Sequence, residues 1–351
     1  MSSASVPDQP ISSLLTVIIT TSPTPSAPLT DLISAILSSF RSHCGDLLSC
    51  RVIVVLDTYE RIAPQARLKK GQVTPEGAKT FELYKQNVKE LILKEFDQEN
   101  GEQSLDYSQG EAEFGFSNVE TNTAPLSILQ TVDGRVTFIE PSKRLGFGLG
   151  VRSALRLAAT PFVWVQQHDW PLVSNIPLQP LLDIMKSTEG DESMPVRYVC
   201  LPSVRLLSYA ESAHVEQFPV LRGLTLSLKR NFVTQSGADV PLTPMFFWHD
   251  KPHLASTEHY LRRIFPTRLS ILRGGFIEDT IGHRARNQMK EGNWAKWATW
   301  LYYPDNGRKL CLRHLQGRTW EGVEKESEKK AYWAMQNAMR NVDELGQAAQ
   351  A

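Results

Sequence analysis

The sequence predicts an α/β protein with a central mixed, mainly parallel sheet flanked by helices. Short runs of β-branched and apolar residues, such as 14–20 and 51–56, have the length and composition of buried strands. Between them, apolar residues recur at helical spacing. A strand, a helix and a second strand follow one another within residues 14–57, and this order makes a βαβ unit with parallel strands and a right-handed crossover.

The composition excludes several classes of protein. The chain has 351 residues, with 38 Lys plus Arg against 38 Asp plus Glu, so no overall charge draws it to nucleic acid or anionic lipid. The apolar run at 14–19 is far shorter than the roughly 20 residues of a membrane-spanning helix, and no basic segment precedes it as in a signal peptide. We therefore expect a cytoplasmic protein without a transmembrane segment and without a nucleic-acid partner.

The cysteines predict reduced thiols. None of the four belongs to a C-x-x-C pair, and such usage is typical of cytosolic proteins; they are Cys44, Cys50, Cys200 and Cys311. A disulfide between Cys44 and Cys50, which flank a turn, is the less favoured interpretation.

The first elements follow in order along the chain. Residues 1–13 are rich in Ser and Pro and are predicted to be disordered. The strand at 14–20 runs into a loop of Thr, Ser and Pro, and Leu32, Ile36 and Phe40 then mark a helix with Thr30 as its N-cap. The second strand, 51–57, ends in the carboxylate of Asp57.

Residues 58–125 are interpreted as an excursion from the sheet. An amphipathic helix is predicted to begin near Thr74 and Pro75, with proline at its first position. The remainder, 97–123, is polar and acidic and has little pattern. The sheet is expected to resume with the strand at 135–140.

The segment 144–170 contains the strongest indication of a site. Its glycine-rich start leads into a helix, and the apolar run 162–165 then predicts a buried strand. Polar residues follow at once, where open α/β sheets bind ligands; they are Gln166, Gln167, His168 and Asp169. Asp169 is the leading candidate for a site residue.

The last third contains further predicted elements. Residues 196–202 and 223–228 are predicted strands, the second from its alternation of apolar residues. The apolar segment 270–279 ends in two carboxylates and is followed by a helix from about Thr280. Ala331, Met335, Ala338, Met339 and Val342 are at helical spacing. The predicted organisation is a disordered N-terminus at 1–13, one domain at 14–318 and a helical tail at 319–351.

Over 14–318 the chain resembles the GT-A glycosyltransferases, in particular their inverting family-2-like branch, whose domain is Rossmann-like. In that family the first strand runs into a donor-binding loop, here Thr20 and Thr21, and the second ends in an Asp that usually meets the nucleotide base, here Asp57. The segment Gly148 to Arg152 resembles the family's glycine-rich run, which contains an Arg. The resemblance implies a nucleotide-sugar donor.

The family's Asp-x-Asp motif is matched only in its last residue. Gln167, His168 and Asp169 stand at its position, so Asp169 is carried over as a metal ligand and the other two as helpers in donor binding. His314 resembles the late His that completes the metal and diphosphate site in some members. The implied cofactor is a divalent cation, Mn²⁺ or Mg²⁺, and an imidazole suits Mn²⁺ better.

The chemistry of glycosyl transfer requires such groups independently of family. The charge that develops on the leaving nucleoside diphosphate must be met by a divalent ion or by cations, and Arg152 and His314 are candidates for the latter. The attacking hydroxyl must lose a proton to a carboxylate. The resemblance assigns Asp279 as this base and Glu278 as its neighbour. The aromatic and polar residues Trp170, Trp248 and His249 suit contact with an acceptor.

Each assignment has a structural alternative. Asp57 can cap a turn, the glycines can form a tight turn, and Arg152 and Arg156 can form a solvated helix face. The acidic pair at 278–279 can begin the following helix. An HD-type metal hydrolase would need further His and Asp at helical spacings that are absent here.

Two other functions stay open. One is a catalytically silent GT-A-like domain that binds a nucleotide, a glycan or a protein. The other is a nucleotidyltransferase, although the Gly-rich, Lys-containing loop after the first strand is absent. A transferase requires Asp169 and Asp279 to face one cavity. The acceptor is unspecified by the sequence.

Overall fold

Eleven strands form one mixed sheet in the computed structural model, which describes residues 9–96, 104–329 and 331–335. Two further short strands, at 61–62 and 72–73, form a separate two-stranded sheet. The strands are β1 Leu15–Thr21, β2 Arg51–Leu56, β3 Arg61–Ile62, β4 Gln72–Val73, β5 Leu105–Glu113, β6 Thr123–Thr131, β7 Val136–Pro141, β8 Phe162–Gln167, β9 Tyr198–Cys200, β10 Arg230–Val233, β11 Asp239–Pro244, β12 His253–Ser256 and β13 Thr299–Tyr302.

Helices flank the sheet. In the described ranges the α-helices are α1 Ile11–Leu14, α2 Asp31–His43, α3 Pro75–Phe96, α4 Phe147–Leu157, α5 Leu178–Ser187, α6 Ala213–Glu216, α7 Pro219–Leu228, α8 Thr257–His259 and α9 His283–Lys290. Two π-helical segments, Tyr260–Ile264 and Glu278–Gly282, continue α8 and precede α9. Residues 323–329 and 331–335 are also helical.

The predicted α/β architecture with a mixed central sheet is confirmed. The strand order is β10-β11-β13-β9-β12-β8-β1-β2-β7-β6-β5. The four central strands β8, β1, β2 and β7 are parallel, and antiparallel pairs extend the sheet on both sides. Because the carboxyl ends of parallel strands share one edge, the loops after β1, β2 and β8 meet there.

The central strands form where the sequence is most apolar. Val17, Ile19, Val54 and Val163 are fully buried and belong to one hydrophobic core, because a strand covered on both faces has no polar face to present to water. The predicted strands at 14–20, 51–57, 135–140 and 162–165 and the helix near Pro75 are confirmed within one or two residues.

Residues 223–228 are helical, so the predicted strand there is wrong. Pro219 is the first residue of α7, and the buried residues of α7, Leu221 and Thr225, are four apart, as one face of a helix requires. Leu226 is 79% exposed. The leucines that alternate along the sequence therefore do not alternate between buried and exposed positions, as they would in a half-buried strand.

The polar segment before residue 123 rejoins the sheet, which differs from its interpretation as an excursion without pattern. Residues 105–113 form β5, which pairs antiparallel with β6 along its whole length at the sheet edge. Most of β5 is exposed, so its backbone pairing forms the strand without an apolar face. Residues 97–103 lie outside the described ranges.

The chain ends differ in part from expectation. Residues 11–14 form α1, so the predicted disorder at 1–13 is wrong for 11–13, while 1–8 lie outside the described ranges. The side chains of 331–335 are exposed, and Ala338, Met339 and Val342 are not described. The four cysteines are buried free thiols. No helix in the described part of the chain is long and apolar enough to cross a membrane.

Candidate functional site

A cleft of about 870 Å³ opens at the carboxyl ends of β1, β2 and β8. The loop 312–319, the start of α4 and the turn before α9 complete its walls. Ten predicted site residues line it, namely Thr20, Thr21, Asp57, Gln167, His168, Asp169, Trp170, Glu278, Asp279 and His314. Asp169 and Asp279 therefore face the same cavity, as a transferase requires.

Asp57 holds the glycine-rich loop. Its Oδ1 accepts a hydrogen bond from the backbone N–H of Leu145 at 2.7 Å, and its Oδ2 accepts one from Gly146 at 2.9 Å. Burial raises the pKa of Asp57 to about 6, although these two hydrogen bonds act to lower it. Gly146 has φ +79°, and a Cβ there would lie 2.5 Å from Gly274 Cα, so the loop needs glycine at this position. Both carboxylate oxygens are thus already engaged by backbone.

His168 belongs to a buried hydrogen-bond chain. Its Nδ1 lies 2.6 Å from Thr21 Oγ1, and the same oxygen lies 2.7 Å from the hydroxyl of Tyr84 on α3. Burial lowers the pKa of His168, although the charge of Asp169 opposes this. A neutral imidazole therefore joins the end of β1 to the end of β8.

Asp169 anchors the loop 312–318 to the sheet. Its Oδ2 accepts a hydrogen bond from the Gly317 N–H at 2.9 Å and lies 3.1 Å from His314 Nε2, and its backbone carbonyl accepts from Leu315 N–H at 2.8 Å. Burial opposes ionisation, but the hydrogen bonds from His314 and the Gly317 N–H hold the pKa of Asp169 below its ordinary value. Its side chain is therefore ionised at neutral pH.

Trp170 fixes the imidazole of His314. The two rings are stacked, with centroids 4.3 Å apart and planes 11° from parallel. The Lys251 ammonium lies 6.0 Å from the centroid of the indole. One face of Trp170 is therefore covered by His314.

The two carboxylates at 278–279 differ in their surroundings. Glu278 Oε2 lies 3.5 Å from His249 Nδ1 and accepts a bond of 3.4 Å from the Asp250 N–H. Burial disfavours ionisation of Glu278, yet the bond from His249 and the Lys251 charge lower its pKa. Asp279 is exposed to the cleft, and its side chain has no hydrogen bond to any other described group.

Cations that the sequence reasoning did not single out also line the cleft. They are Lys69, Arg144, Arg205, Lys251, Arg313 and Arg318. Arg313 and Arg318 lie in the same loop as His314, so their closeness in sequence to a predicted site residue could have identified them. The cleft therefore presents positive charge near Asp169, as an anionic ligand requires.

Two predicted donor-binding residues lie away from the cleft. Arg152 is buried, and its guanidinium donates to the carbonyl of Glu113 on β5. Gly148 packs against the loop 270–275, where a Cβ would lie 2.1 Å from Ile271 Cδ1. Gly148 thus serves close packing, and neither Gly148 nor Arg152 belongs to the cleft lining.

Two predicted acceptor-binding residues are also outside the cleft lining. Trp248 is fully buried, with its ring centroid 4.2 Å from that of Tyr198, so it is a core residue. His249 contacts Glu278 through Nδ1. Burial lowers the pKa of His249 to about 4, although the contact with Glu278 acts in the opposite direction. Its neutral imidazole supports the carboxylate from behind.

Asp169 and His314 are the donors available to a divalent ion. Besides the 3.1 Å approach of Oδ2 to Nε2, Asp169 Oδ1 is buried without a hydrogen-bond partner in the described structure. No group of three or more His, Cys, Asp or Glu in that part of the chain can hold a metal. Divalent ions at phosphate sites commonly take one or two carboxylates and complete their shell with phosphates and waters. A divalent ion at this pair would need most of its ligands from a diphosphate and water, and it would need His314 Nε2 without its proton.

Gly317→Ala is expected to damage the cleft. The added Cβ would lie 2.7 Å from His168 Nε2 and 3.1 Å from Asp169 Oδ2, so the buried histidine or the carboxylate must move. We expect a loss of about 1–3 kcal/mol in the free energy of unfolding and weaker nucleotide binding. Urea denaturation and nucleotide titration measure both. Gly190→Ala, where a Cβ meets nothing within 4 Å, is the control; equal behaviour of the two variants would contradict the prediction.

Comparison with known proteins gives similarity only at the level of structure. No protein-family model and no curated protein matches the sequence. The mannosyltransferase PcManGT from Pyrobaculum calidifontis, solved with GDP-Man and Mn²⁺, is 12% identical with a TM-score of 0.35; the match covers 84% of this chain and 58% of that one. TarS of S. aureus, solved with UDP-GlcNAc, is 11% identical with a TM-score of 0.40 over 85% of this chain and 57% of that one.

A third similar structure is glucosyl-3-phosphoglycerate synthase from Mycobacterium tuberculosis, solved with Mn²⁺ and UDP. It is 10% identical with a TM-score of 0.32, and the match covers 82% of this chain and 78% of that one. The match spans less than two thirds of the length of PcManGT and of TarS. At such identities and TM-scores the similarity carries no information on the substrate or reaction of this chain.

Proposed function

We propose that this chain is a nucleotide-sugar-dependent glycosyltransferase that moves a sugar to a hydroxyl group of an acceptor with inversion. The observation that carries the proposal is the shared cleft of Asp169 and Asp279. One carboxylate lies among histidines and cations that suit a diphosphate, and the other is an exposed carboxylate suited to accept a proton.

The donor diphosphate is assigned to the side of the cleft formed by Asp169, His314 and Arg318. A divalent ion held by Asp169 and His314 would supply positive charge to the diphosphate when bound. The side chains of Lys251 and Arg318 add positive charge of their own. Thr20 and Thr21 at the end of β1 are assigned to donor binding, together with Gln167 and His168 at the end of β8.

The acceptor is assigned to the side of Glu278 and Asp279. As the acceptor oxygen forms its bond to the anomeric carbon, the bond from that carbon to the phosphate oxygen breaks, and its electron pair leaves with the nucleoside diphosphate. The hydroxyl proton passes to the carboxylate of Asp279. Glu278 is already engaged with His249 and Asp250, so it positions Asp279 and does not compete for the proton.

A catalytically silent binding domain is the second candidate. The observation that favours it is the replacement of an Asp-x-Asp carboxylate by Gln167, whose amide donates to the Asp250 carbonyl at 2.7 Å. Such a domain would bind a nucleotide, a glycan or a protein without releasing product.

A panel of nucleotide sugars tests the proposal. The full-length protein is incubated with UDP- and GDP-sugars and a panel of hydroxyl acceptors, with Mn²⁺, with Mg²⁺ or with chelator, and nucleoside diphosphate release is measured. We expect release from one donor and its loss with chelator. Nucleotide binding in a thermal-shift assay without release from any donor would instead favour the silent domain.

A further inference from the structure

Asp250 is a buried acid that contacts two elements of the cleft lining. It lies in the loop between β11 and β12 and is 2% exposed. Its carbonyl accepts the hydrogen bond from Gln167 Nε2 at the end of β8. Its N–H donates to Glu278 Oε2 at 3.4 Å, and its own Oδ2 accepts from the Glu278 N–H at 3.3 Å. One residue therefore contacts both the strand end that carries Asp169 and the turn that carries Asp279.

The reciprocal pair with Glu278 fixes the start of a helix. Glu278 is the first residue of the segment Glu278–Gly282, which continues into α9. An acceptor at this position satisfies a backbone N–H that has no partner within the helix. The direction in which Asp279 leaves the backbone depends on this first turn.

We propose that Asp250 is a positioning residue that fixes Glu278 and thereby presents Asp279 to the acceptor. This inference rests on the proposed function. In the proposed mechanism Asp250 does not contact the substrate, and Asp279 remains the catalytic residue.

The surroundings of Asp250 favour its neutral form. Burial and the charge of Glu278 raise its pKa well above the ordinary value, and Asp279 adds to the effect. Its Oδ1 is buried and has no hydrogen-bond partner in the described structure, so a charge there would be poorly compensated. Besides these two carboxylates, the titratable and charged groups around it are His249 and Lys251 of its own loop, His253 of β12, Tyr198 of β9 and Tyr260 after α8.

Two substitutions separate the positioning role from general stability. Asp250→Asn keeps an oxygen that can accept from the Glu278 N–H and is uncharged like protonated Asp250. Asp250→Leu has a similar size but lacks that oxygen. The matched control is Thr243→Val, which removes a buried hydroxyl that likewise has no partner in the described structure and lies outside the cleft lining.

The activity measurement is steady-state transfer as a function of pH. We expect Asp250→Leu to lower kcat by about 100-fold, the effect of a small misplacement of a reacting group, with the donor KM changed less than about threefold. Asp250→Asn should retain kcat within about threefold, with the acid side of the pH profile unmoved because no charge is lost. Equal impairment of both variants, or a shift of that profile to lower pH in Asp250→Asn, would overturn the proposal.

Hydrogen exchange gives a second measurement that needs no activity. In the full-length protein, the backbone amides of 278–282 should exchange faster in Asp250→Leu and at the wild-type rate in Asp250→Asn and Thr243→Val. Unchanged exchange in Asp250→Leu would overturn the positioning role. A wild-type protein that releases no nucleoside diphosphate would instead reject the proposed function, and the exchange data would still decide the role of Asp250.

Discussion

Asp279→Asn is expected to lower sugar transfer by about 10²- to 10⁴-fold, the usual contribution of a positioned general base. An amide of nearly the same shape cannot accept the hydroxyl proton, so the acceptor is no longer activated. Nucleotide binding should be unchanged, because the diphosphate is assigned to Asp169, His314 and Arg318 and not to Asp279. The measurements are nucleoside diphosphate release with saturating acceptor and a nucleotide titration.

Two further variants separate the role of Asp279 from the loss of any acid in this region. Glu258→Gln removes an exposed carboxylate from the first turn of α8, outside the cleft lining, and should be without effect. Glu278→Gln weakens the contacts with His249 and the Asp250 N–H and should cause a smaller loss than Asp279→Asn. If Glu278→Gln abolished transfer while Asp279→Asn retained it, the two carboxylates would have exchanged roles.

The central part of the fold was predictable because its strands are buried on both faces. Continuous apolar runs such as 51–56 leave little choice other than a strand in a parallel sheet. The strand at 105–113 was not predictable in this way, since it lies at the exposed edge and is stabilised by pairing along its whole length with β6. Its side chains show almost no apolar pattern that could predict a strand from the sequence.

The candidate site was predictable where a residue follows a central strand. Asp57 and Asp169 are placed by β2 and β8, so their arrival at one edge follows from parallel pairing. Arg152 was predicted from its place in the glycine-rich run, but that motif does not show which element covers the side chain, here β5. The partners of Asp250 come from β8 and the turn before α9, and no local pattern joins elements so far apart in sequence.

Asp169→Asn is expected to have the second largest effect, on donor binding rather than on proton transfer. The carboxylate accepts from Gly317 N–H and His314 and is the only acid that contacts His314 in the described structure. An amide removes its negative charge and, in one orientation, turns an N–H donor toward the Gly317 N–H. We expect Mn²⁺-dependent nucleotide affinity to fall by at least about tenfold, or roughly 1.4 kcal/mol.

The same substitution should also change the pH dependence of stability, with a sign that follows from the lowered pKa of Asp169. A depressed carboxyl pKa stabilises the fold above its value in the unfolded chain, about 3.9, and this contribution disappears as the pH falls through the folded-state value. The difference in stability between wild type and Asp169→Asn should therefore be constant near neutrality and shrink below about pH 4.

Asp133→Asn is the matched control for both effects. Asp133 accepts hydrogen bonds from Thr131 Oγ1 and the Arg135 N–H, and the bond from Thr131 is the main reason why its pKa is lowered. Asp133 lies in the turn after β6, outside the cleft lining. Because Asp133 is exposed, its substitution should lose less stability at neutral pH than Asp169→Asn, and it should leave nucleotide binding unchanged. Calorimetric titration of UDP and GDP with Mn²⁺ compares the two variants. Unchanged affinity in Asp169→Asn would place the diphosphate elsewhere in the cleft, because a buried carboxylate paired with His314 would then have only a structural role.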